Sequence, residues 1–375
     1  MRHVLSYSGG KDSTAMYLLA IERGVDFLPV FADTGNEHEI TREFVTNLPD
    51  KVGGPAIRWV KADFSDQFER KRRFIAEHWP RDLMAGTEGQ WVLRADVAVP
   101  TKEVWDADCE ELIEAPTVAP PDWAPSDPYM SAFTAWFRWV PGKRPLSERE
   151  AMERVERALA LLHPTGIPFL DLCMLKGRFP STRARFCSEE IKHHPIFYQV
   201  QEPLLEAGHT VVSWQGVRAE ESPRRAALSK LERLGGGLVN WRPILHWTVE
   251  DVFAIHRRHG VEPNPLYKMG CGRVGCMPCI HSRKEEIRNI ASRFPEHVER
   301  IAEWERLVGD VSKRGLSTFF AANKTPGGHT RDFGLPMPNI HDVVDWSRTG
   351  RGGRQFDLAF LLDPPQCSSL YGLCE

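Results

Sequence analysis

The stretch SYSGGKDST, residues 6–14, constrains the fold more than any other part of this chain. An apolar run over His3–Tyr7 stops at two adjacent glycines, and a run with helical spacing begins at Asp12. Gly9 and Gly10 can take backbone angles closed to other residues and put no side chain in the way. Successive N–H groups can then converge on one anion. The helix that follows directs its positive end at the same point. Lys11 adds a mobile cation, and Ser8, Ser13 and Thr14 add hydroxyl donors. The loop is shorter than the G-x-x-x-x-G-K-S/T type and does not end in its lysine. These residues predict a strand, a phosphate-binding turn and a helix, in that order.

The next seventy or so residues keep the same rhythm. Strands are expected at Phe27–Ala32 and Ala56–Val60, with helices at Glu39–Leu48 and Phe64–Glu77. Strands alternating with helices at this spacing imply right-handed crossovers and an α/β fold with a parallel twisted sheet. The rhythm breaks over Arg81–Arg144, where Trp91, Trp105, Trp123, Trp136 and Trp139 surround a proline-rich centre. Such a segment reads as a lid, a partner surface or an irregular excursion pinned by its tryptophans. Helical spacing returns in SEREAMERVERALALLH, a strand in HTVVSW, and helices in VEDVFAIHRRHG, Lys284–Ser292 and Pro295–Val308. Residues 311–375 read as mixed loops around HDVVDWSRTGRGGRQF. The expected organisation is a nucleotide-binding domain over 1–80 and 147–260, an insertion over 81–146, a cysteine-bearing helical segment over 261–310 and an extension over 311–375.

A formal charge of -3 excludes a global polybasic field, so a nucleic-acid partner would need a local patch. The segments ERKRRF, RFPSTRARF and SRTGRGGRQF are compatible with a phosphate backbone and equally with solvated faces. No apolar run is long enough to cross a bilayer, and Gly9–Asp12 interrupt the N-terminal apolar stretch, so a cytoplasmic location is expected. Among the eight cysteines, Cys271, Cys276 and Cys279 crowd together in a metal-site pattern. At the end of the second expected strand, VFADTGNEHEIT offers Asp33 to hold Mg²⁺ or cap the next turn, with Thr34 and Gly35 forming that turn.

The order S-G-G-K-D-S closely resembles the PP-loop of the ATP pyrophosphatase superfamily, also described as adenine nucleotide alpha hydrolase-like. Three later segments resemble one branch of it, the phosphoadenosine phosphosulfate (PAPS) reductase-like family. KGRFPSTRARFCSEEIKHHPI is similar to the family's R-x-C-S/T-x-x-I/L-K arrangement through Arg185, Cys187 and Lys192. GVRAEESPRR resembles its G-I/V-R-x-x-E-S-x-x-R segment, with Gly216, Arg218, Glu221, Ser222 and Arg225 in matching places. The third segment, PILHWTVEDVFAIHRRHGVEPNPLYKMGCGRVGCMPC, follows its P-I-x-x-W … N-P-L-Y … R-V-G-C-x-x-C block. The resemblance covers most of 1–80 and 165–310, and weakly the VVDWSRTGRGG tail.

That resemblance implies ATP and Mg²⁺ at Ser8, Gly9, Gly10, Lys11, Asp12 and Ser13, with Lys11, Asp12, Arg185, Lys192 and Arg218 in catalysis. Arg224 is a further cation, and Glu220 and Glu221 either hold Mg²⁺ or pair with the arginines. Cys187 joins Cys271, Cys276 and Cys279 as a fourth thiolate, for a 4Fe–4S cluster or alternatively Zn²⁺. His281 is a substitute for Cys271. Relatives in DNA phosphorothioation and tRNA thiolation suggest the reaction: an acceptor oxygen attacks the α phosphorus, pyrophosphate leaves, and a sulfur nucleophile displaces AMP. Implied partners are a DNA or tRNA acceptor, a sulfur donor such as a cysteine desulfurase, and a second copy of the chain. PAPS reductases have an altered loop and a C-terminal E-C-G-I/L-H motif. This chain keeps the full loop and ends SSLYGLCE, where Cys374 shares only its nearness to the terminus. Reduction of PAPS is the alternative reading, and a non-catalytic nucleotide-sensing subunit is a third.

Overall fold

The computed structural model describes residues 1–86, 90–93, 137–140, 144–320 and 338–350. Its packing divides the chain into two compact units, one of residues 1–71 with 160–375 and one of residues 72–159. The strands are β1 (Arg2–Tyr7), β2 (Phe27–Asp33), β3 (Arg58–Lys61), β4 (Gln90–Leu93), β5 (Phe137–Val140), β6 (Val211–Trp214), β7 (Leu231–Gly235) and β8 (Leu238–Trp241). In the smaller unit β4 and β5 form an antiparallel pair. The larger unit carries a six-stranded sheet in the order β3-β2-β1-β6-β8-β7. Its first five strands run parallel, and β7 closes one edge antiparallel to β8.

The helices are α1 (Lys11–Glu22), α2 (Glu39–Val52), α3 (Ser65–Ala85), α4 (Glu148–Leu161), α5 (Pro168–Lys176), α6 (residues 186–206), α7 (Val249–Arg258), α8 (Lys284–Arg293), α9 (Pro295–Asp310) and α10 (Ile340–Ser347). Within α6 the turns Glu189–His193 and Phe197–Gln201 are π-helical. Successive strand residues go to opposite faces, as a pleated strand requires. Val4, Val30, Val60 and Val211 pack with Ile196 and Val200 of α6. Their neighbours Leu5, Phe31, Val212 and Trp214 pack with residues of α1, α2 and α7. Both faces are covered, which is why the central strands read as nearly continuous apolar runs.

From β1 the sheet grows through β2 to β3 on one side and through β6 to β8 on the other. The order therefore reverses between β1 and β6. In doubly wound sheets, ligands collect at the carboxyl ends of strands at such a point. The two segments leaving these strands are the glycine loop and GVRAEESPRR.

Several elements depart from the sequence reading, among them helices α5 and α6 and the β4–β5 pair, none of which it named. The edge hairpin β7–β8 was not expected. Helix α3 runs past Glu77 to Ala85. Residues 340–347, read as loop, form α10, where Asn339 Oδ1 accepts from the N–H groups of His341 (2.9 Å) and Asp342 (3.1 Å). That helix is too short to show a period, and it is fixed by burial of Ile340, Val343 and Val344.

Glu305 of α9 holds this end of the chain in place. Its carboxylate accepts N–H bonds from Phe319 (2.7 Å) and Ile340 (2.8 Å). Burial pushes its pKa up from 4.5 to about 7, and the two N–H donors pull it back only in part. The folded protein thus keeps a proton that the unfolded chain sheds near 4.5. Stability is expected to fall by about 3 kcal/mol as pH rises from ~4.5 to ~7. Urea midpoints across that window should show the slope, and Glu305→Gln should flatten it. A wild-type profile already flat there would refute the assignment.

Candidate functional site

Ser8–Gly10 form the turn between β1 and α1. Gly9 has φ +72°, and a Cβ there would stand 2.9 Å from Thr41 Cγ2 and 3.0 Å from Val45 Cγ2. Only glycine lets the backbone lie this close to α2. Gly10 is the N-cap of α1 and contributes no side-chain cap. Ser13 Oγ accepts from Ser8 N–H (3.2 Å) and donates to Gly10 O (3.0 Å), so it braces the turn from inside. Thr14 is fully buried and bonds the Tyr7 hydroxyl (3.0 Å), which makes it a packing residue.

Three residues that the sequence reading did not single out hold the loop from outside. Asn264 Nδ2 donates to Gly9 O (3.3 Å) and to Thr41 Oγ1 (3.2 Å). The Tyr267 hydroxyl accepts from Lys11 N–H (3.1 Å). His256 Nε2 lies 2.9 Å from Lys11 O, where it must donate. The string N-P-L-Y was the available signal for the first two.

The charged groups form one network. Asp12 sits between Lys11 Nζ (2.6 Å) and Arg218 Nε (2.5 Å), and Arg218 also donates to Glu220. Arg218 is 3% exposed. Burial works against its charge, but Asp12 and Glu220 outweigh it and raise the guanidinium pKa. Glu221 accepts from Arg218 N–H (3.1 Å) and from the Arg225 guanidinium, while Ser222 Oγ accepts from Arg225 N–H (3.3 Å). A Cβ at Gly216 would stand 3.5 Å from Ser13 Cα, so the segment after β6 lies against the first turn of α1. Lys11, Asp12, Gly216, Arg218, Glu221, Ser222 and Arg225 therefore share the switch point. Arg185 is exposed, and its Nε donates to Thr182 O (3.0 Å).

At the end of β2, Asp33 Oδ1 accepts from Gly35 N–H (3.0 Å) and from Arg42 Nη1 (2.6 Å). Gly35 has φ +73°, and a Cβ there would meet Ile167 Cγ2 at 2.8 Å. Buried Thr34 donates its hydroxyl to Glu37 (2.6 Å) and lies 3.6 Å from Cys276 Sγ. The cysteine loop docks here: Met277 N–H donates to Asn36 O (2.7 Å) and Asn36 Nδ2 to Pro278 O (3.1 Å).

Lys192, in the first π-turn of α6, faces Cys276, Glu37, Cys279 and Cys187. Cys276 foremost, with the other three, outweighs burial and raises the lysine pKa. Burial pushes the Cys276 thiol up to about 11 against the pull of Lys192. Three of the four expected ligands thus share electrostatic coupling to one cation, although among the described residues these thiols do not form a group within 4.8 Å of one another. Cys271 does not join them. It is 1% exposed in an apolar cluster with Leu266, Val274 and Ile290, its thiol is pushed up to about 12 by burial, and its charged neighbours are Glu286 and Arg293. Cys173 is buried with Cys187 nearby, and Cys109, Cys367 and Cys374 lie outside the described residues.

A profile of the phosphoadenosine phosphosulfate reductase domain matches residues 2–84 and 180–282, the segments that build this site. The chain belongs to the PAPS reductase family. A 37.8 kDa protein of Escherichia phage 186, itself uncharacterised, is 44% identical over 100% of this chain and 96% of its own length. An adenosine 5'-phosphosulfate reductase of Allochromatium vinosum is 27% identical over 56% of this chain and 73% of its own. A solved PAPS reductase from Candida auris aligns over 74% of this chain and 83% of its own, with 13% identity and a TM-score of 0.33. Among the described residues no helix is long and apolar enough to cross a membrane.

Proposed function

We propose that this chain is an adenylating PP-loop enzyme that cleaves ATP to AMP and pyrophosphate and so activates an acceptor for sulfur transfer, with a nucleic acid as the acceptor class. The observation that carries the reading is the complete S-G-G-K-D-S loop at the switch point, with Lys11, Asp12 and Arg218 in one buried network. A triphosphate lying on Ser8–Ser13 meets backbone N–H groups, the positive end of α1 and the Lys11 ammonium. Attack of an acceptor oxygen on the α phosphorus forms one P–O bond and breaks the bond to the β phosphate. The negative charge that builds on the departing pyrophosphate is met by Lys11 and Arg218. Asp12, which lies between Lys11 and Arg218, would be a carboxylate able to hold Mg²⁺ beside the phosphates. A sulfur nucleophile then displaces AMP.

The thiols of Cys187, Cys276 and Cys279, coupled to the half-buried Lys192, suit an anionic metal–thiolate group, because the ammonium offsets its charge. These three would hold a 4Fe–4S cluster or Zn²⁺, with a fourth ligand other than Cys271. When bound, an iron–sulfur cluster supplies redox chemistry beside the nucleotide loop. Cys276→Ala is expected to abolish bound iron in anaerobically purified protein, whereas Cys271→Ala should retain it. Equal iron in both variants would refute this ligand set.

A second reading rests on the relatives named adenosine 5'-phosphosulfate reductase: the nucleotide is an adenylylated sulfate and the product is sulfite. One experiment separates the two. Anaerobically purified protein is given ATP with DNA, tRNA or no acceptor, and separately adenylylated sulfate with a thiol. AMP with pyrophosphate supports the first reading, sulfite the second. ADP from ATP, or bound ATP without turnover, would exclude the adenylating reaction.

A further inference from the structure

Behind the cysteine loop lies a cluster of metal-type donors that neither the nucleotide loop nor the thiols use. We propose that His38, Glu39 and His297 form a binding site for a divalent transition metal of the zinc class. His38 ends the turn after β2 and caps α2, and His297 lies in the first turn of α9. Their side chains are buried, at 6% and 2% exposure, and their ring centroids are 4.8 Å apart with the planes at 11°. Glu39 Oε2 stands 3.7 Å from His38 Nδ1 and 3.6 Å from His297 Nε2. One ligand atom from each residue falls within 4.8 Å of the other two. Zinc bonds to imidazole and carboxylate of about 2.0–2.2 Å put neighbouring donors roughly 3.4 Å apart around a tetrahedral ion. The two contacts to Glu39 lie within a few tenths of an ångström of that spacing, while the stacked imidazoles, whose ligand atoms lie within 4.8 Å, would close and turn toward a shared ion.

The hydrogen bonds show which ring nitrogens are open to a metal. Arg300 Nη2 can only donate and lies 2.7 Å from His297 Nδ1, so Nδ1 accepts there and the ring proton sits on Nε2 toward Glu39, where loading would exchange it for a metal bond. The same Arg300 Nη2 also donates to Asn36 Oδ1 (3.1 Å) and Met277 O (2.8 Å), and Glu39, Glu37 and Glu296 offset its charge. The Ile40 N–H bond to His38 Nδ1 (3.0 Å) is the contact that loading would exchange for a metal bond. Glu39 is exposed, which gives the ion an entry path and leaves its fourth position to water.

An ion here would join the start of α2 to α9 across Met277, the residue after Cys276. It would clamp the thiol loop onto the end of β2 without touching a thiol. The test uses the full chain, stripped with a chelator and re-equilibrated with Zn²⁺ alone. X-ray absorption should show a nitrogen and oxygen shell at ~2.0–2.1 Å, distinct from any sulfur shell at ~2.3 Å. Glu39→Ala, a surface change that leaves the core intact, should raise the zinc dissociation constant of that shell at least ~10-fold. His297→Gln should remove the shell. A sulfur shell alone, or an unchanged dissociation constant in Glu39→Ala, would overturn the proposal, and the second result does so even if His297→Gln fails to fold.

Discussion

Lys11→Ala should lower the release of AMP and pyrophosphate from ATP by about 10²- to 10³-fold, the loss typical when one preorganised donor is removed from a developing anion. The side chain is 6% exposed and its ammonium lies 2.6 Å from Asp12, at the positive end of α1. Ground-state ATP already spreads its charge over Mg²⁺ and the loop N–H groups. The extra charge appears as pyrophosphate departs, so the loss should fall more on kcat than on KM. Asp12 keeps Arg218 at 2.5 Å in the variant, so the fold should survive. Pyrophosphate release measured under saturating ATP tests this directly. A Lys11→Ala protein that turns over ATP like the wild type would remove the loop from the chemistry.

Much of this site was legible because its parts are contiguous. Gly9 and Gly10 between an apolar strand and an amphipathic helix announce their own geometry, and the positive φ of Gly9 is the reason that residue must be glycine. What stayed hidden depends on pairings across long separations. Asp33 was open to a role with Mg²⁺, yet Arg42, one turn into α2, takes its charge, and the turn to Gly35 takes the same oxygen. Cys271 has ligand spacing to Cys276 and Cys279, but its N–H donates to Leu266 O (3.0 Å). That bond ties it to the Pro265–Tyr267 turn, inside an apolar cluster. Spacing along the chain limits which thiols can meet, while the direction of each side chain is set by turns that spacing does not describe. The same applies to His38 and His297, which come together only because the cysteine loop brings α9 against the start of α2.

Arg218→Met should destabilise the folded protein by about 2–3 kcal/mol, and Asp12→Asn should cost less in that background than in the wild type. Arg218 lies between carboxylates from two segments, Asp12 from α1 and Glu220 from the turn after β6. Removing one partner of a buried ion pair costs about 3–5 kcal/mol, because the other charge is left without compensation. The smaller figure applies here because the Glu220 side chain is 44% exposed and Asp12 retains Lys11. The Asp12–Arg218 attraction is lost only once in the double variant, so the two changes should be sub-additive by roughly 1 kcal/mol in denaturant unfolding. Strict additivity would mean that the arginine acts by packing alone. The coupling bears on function because Asp12 and Arg218 stand 206 positions apart and meet only at the switch point. A pair with measurable coupling holds the nucleotide loop against the G-V-R segment before any nucleotide arrives. Nucleotide binding then only has to redirect existing charges toward its phosphates, which is the preorganisation that a loop built for phosphoryl chemistry needs.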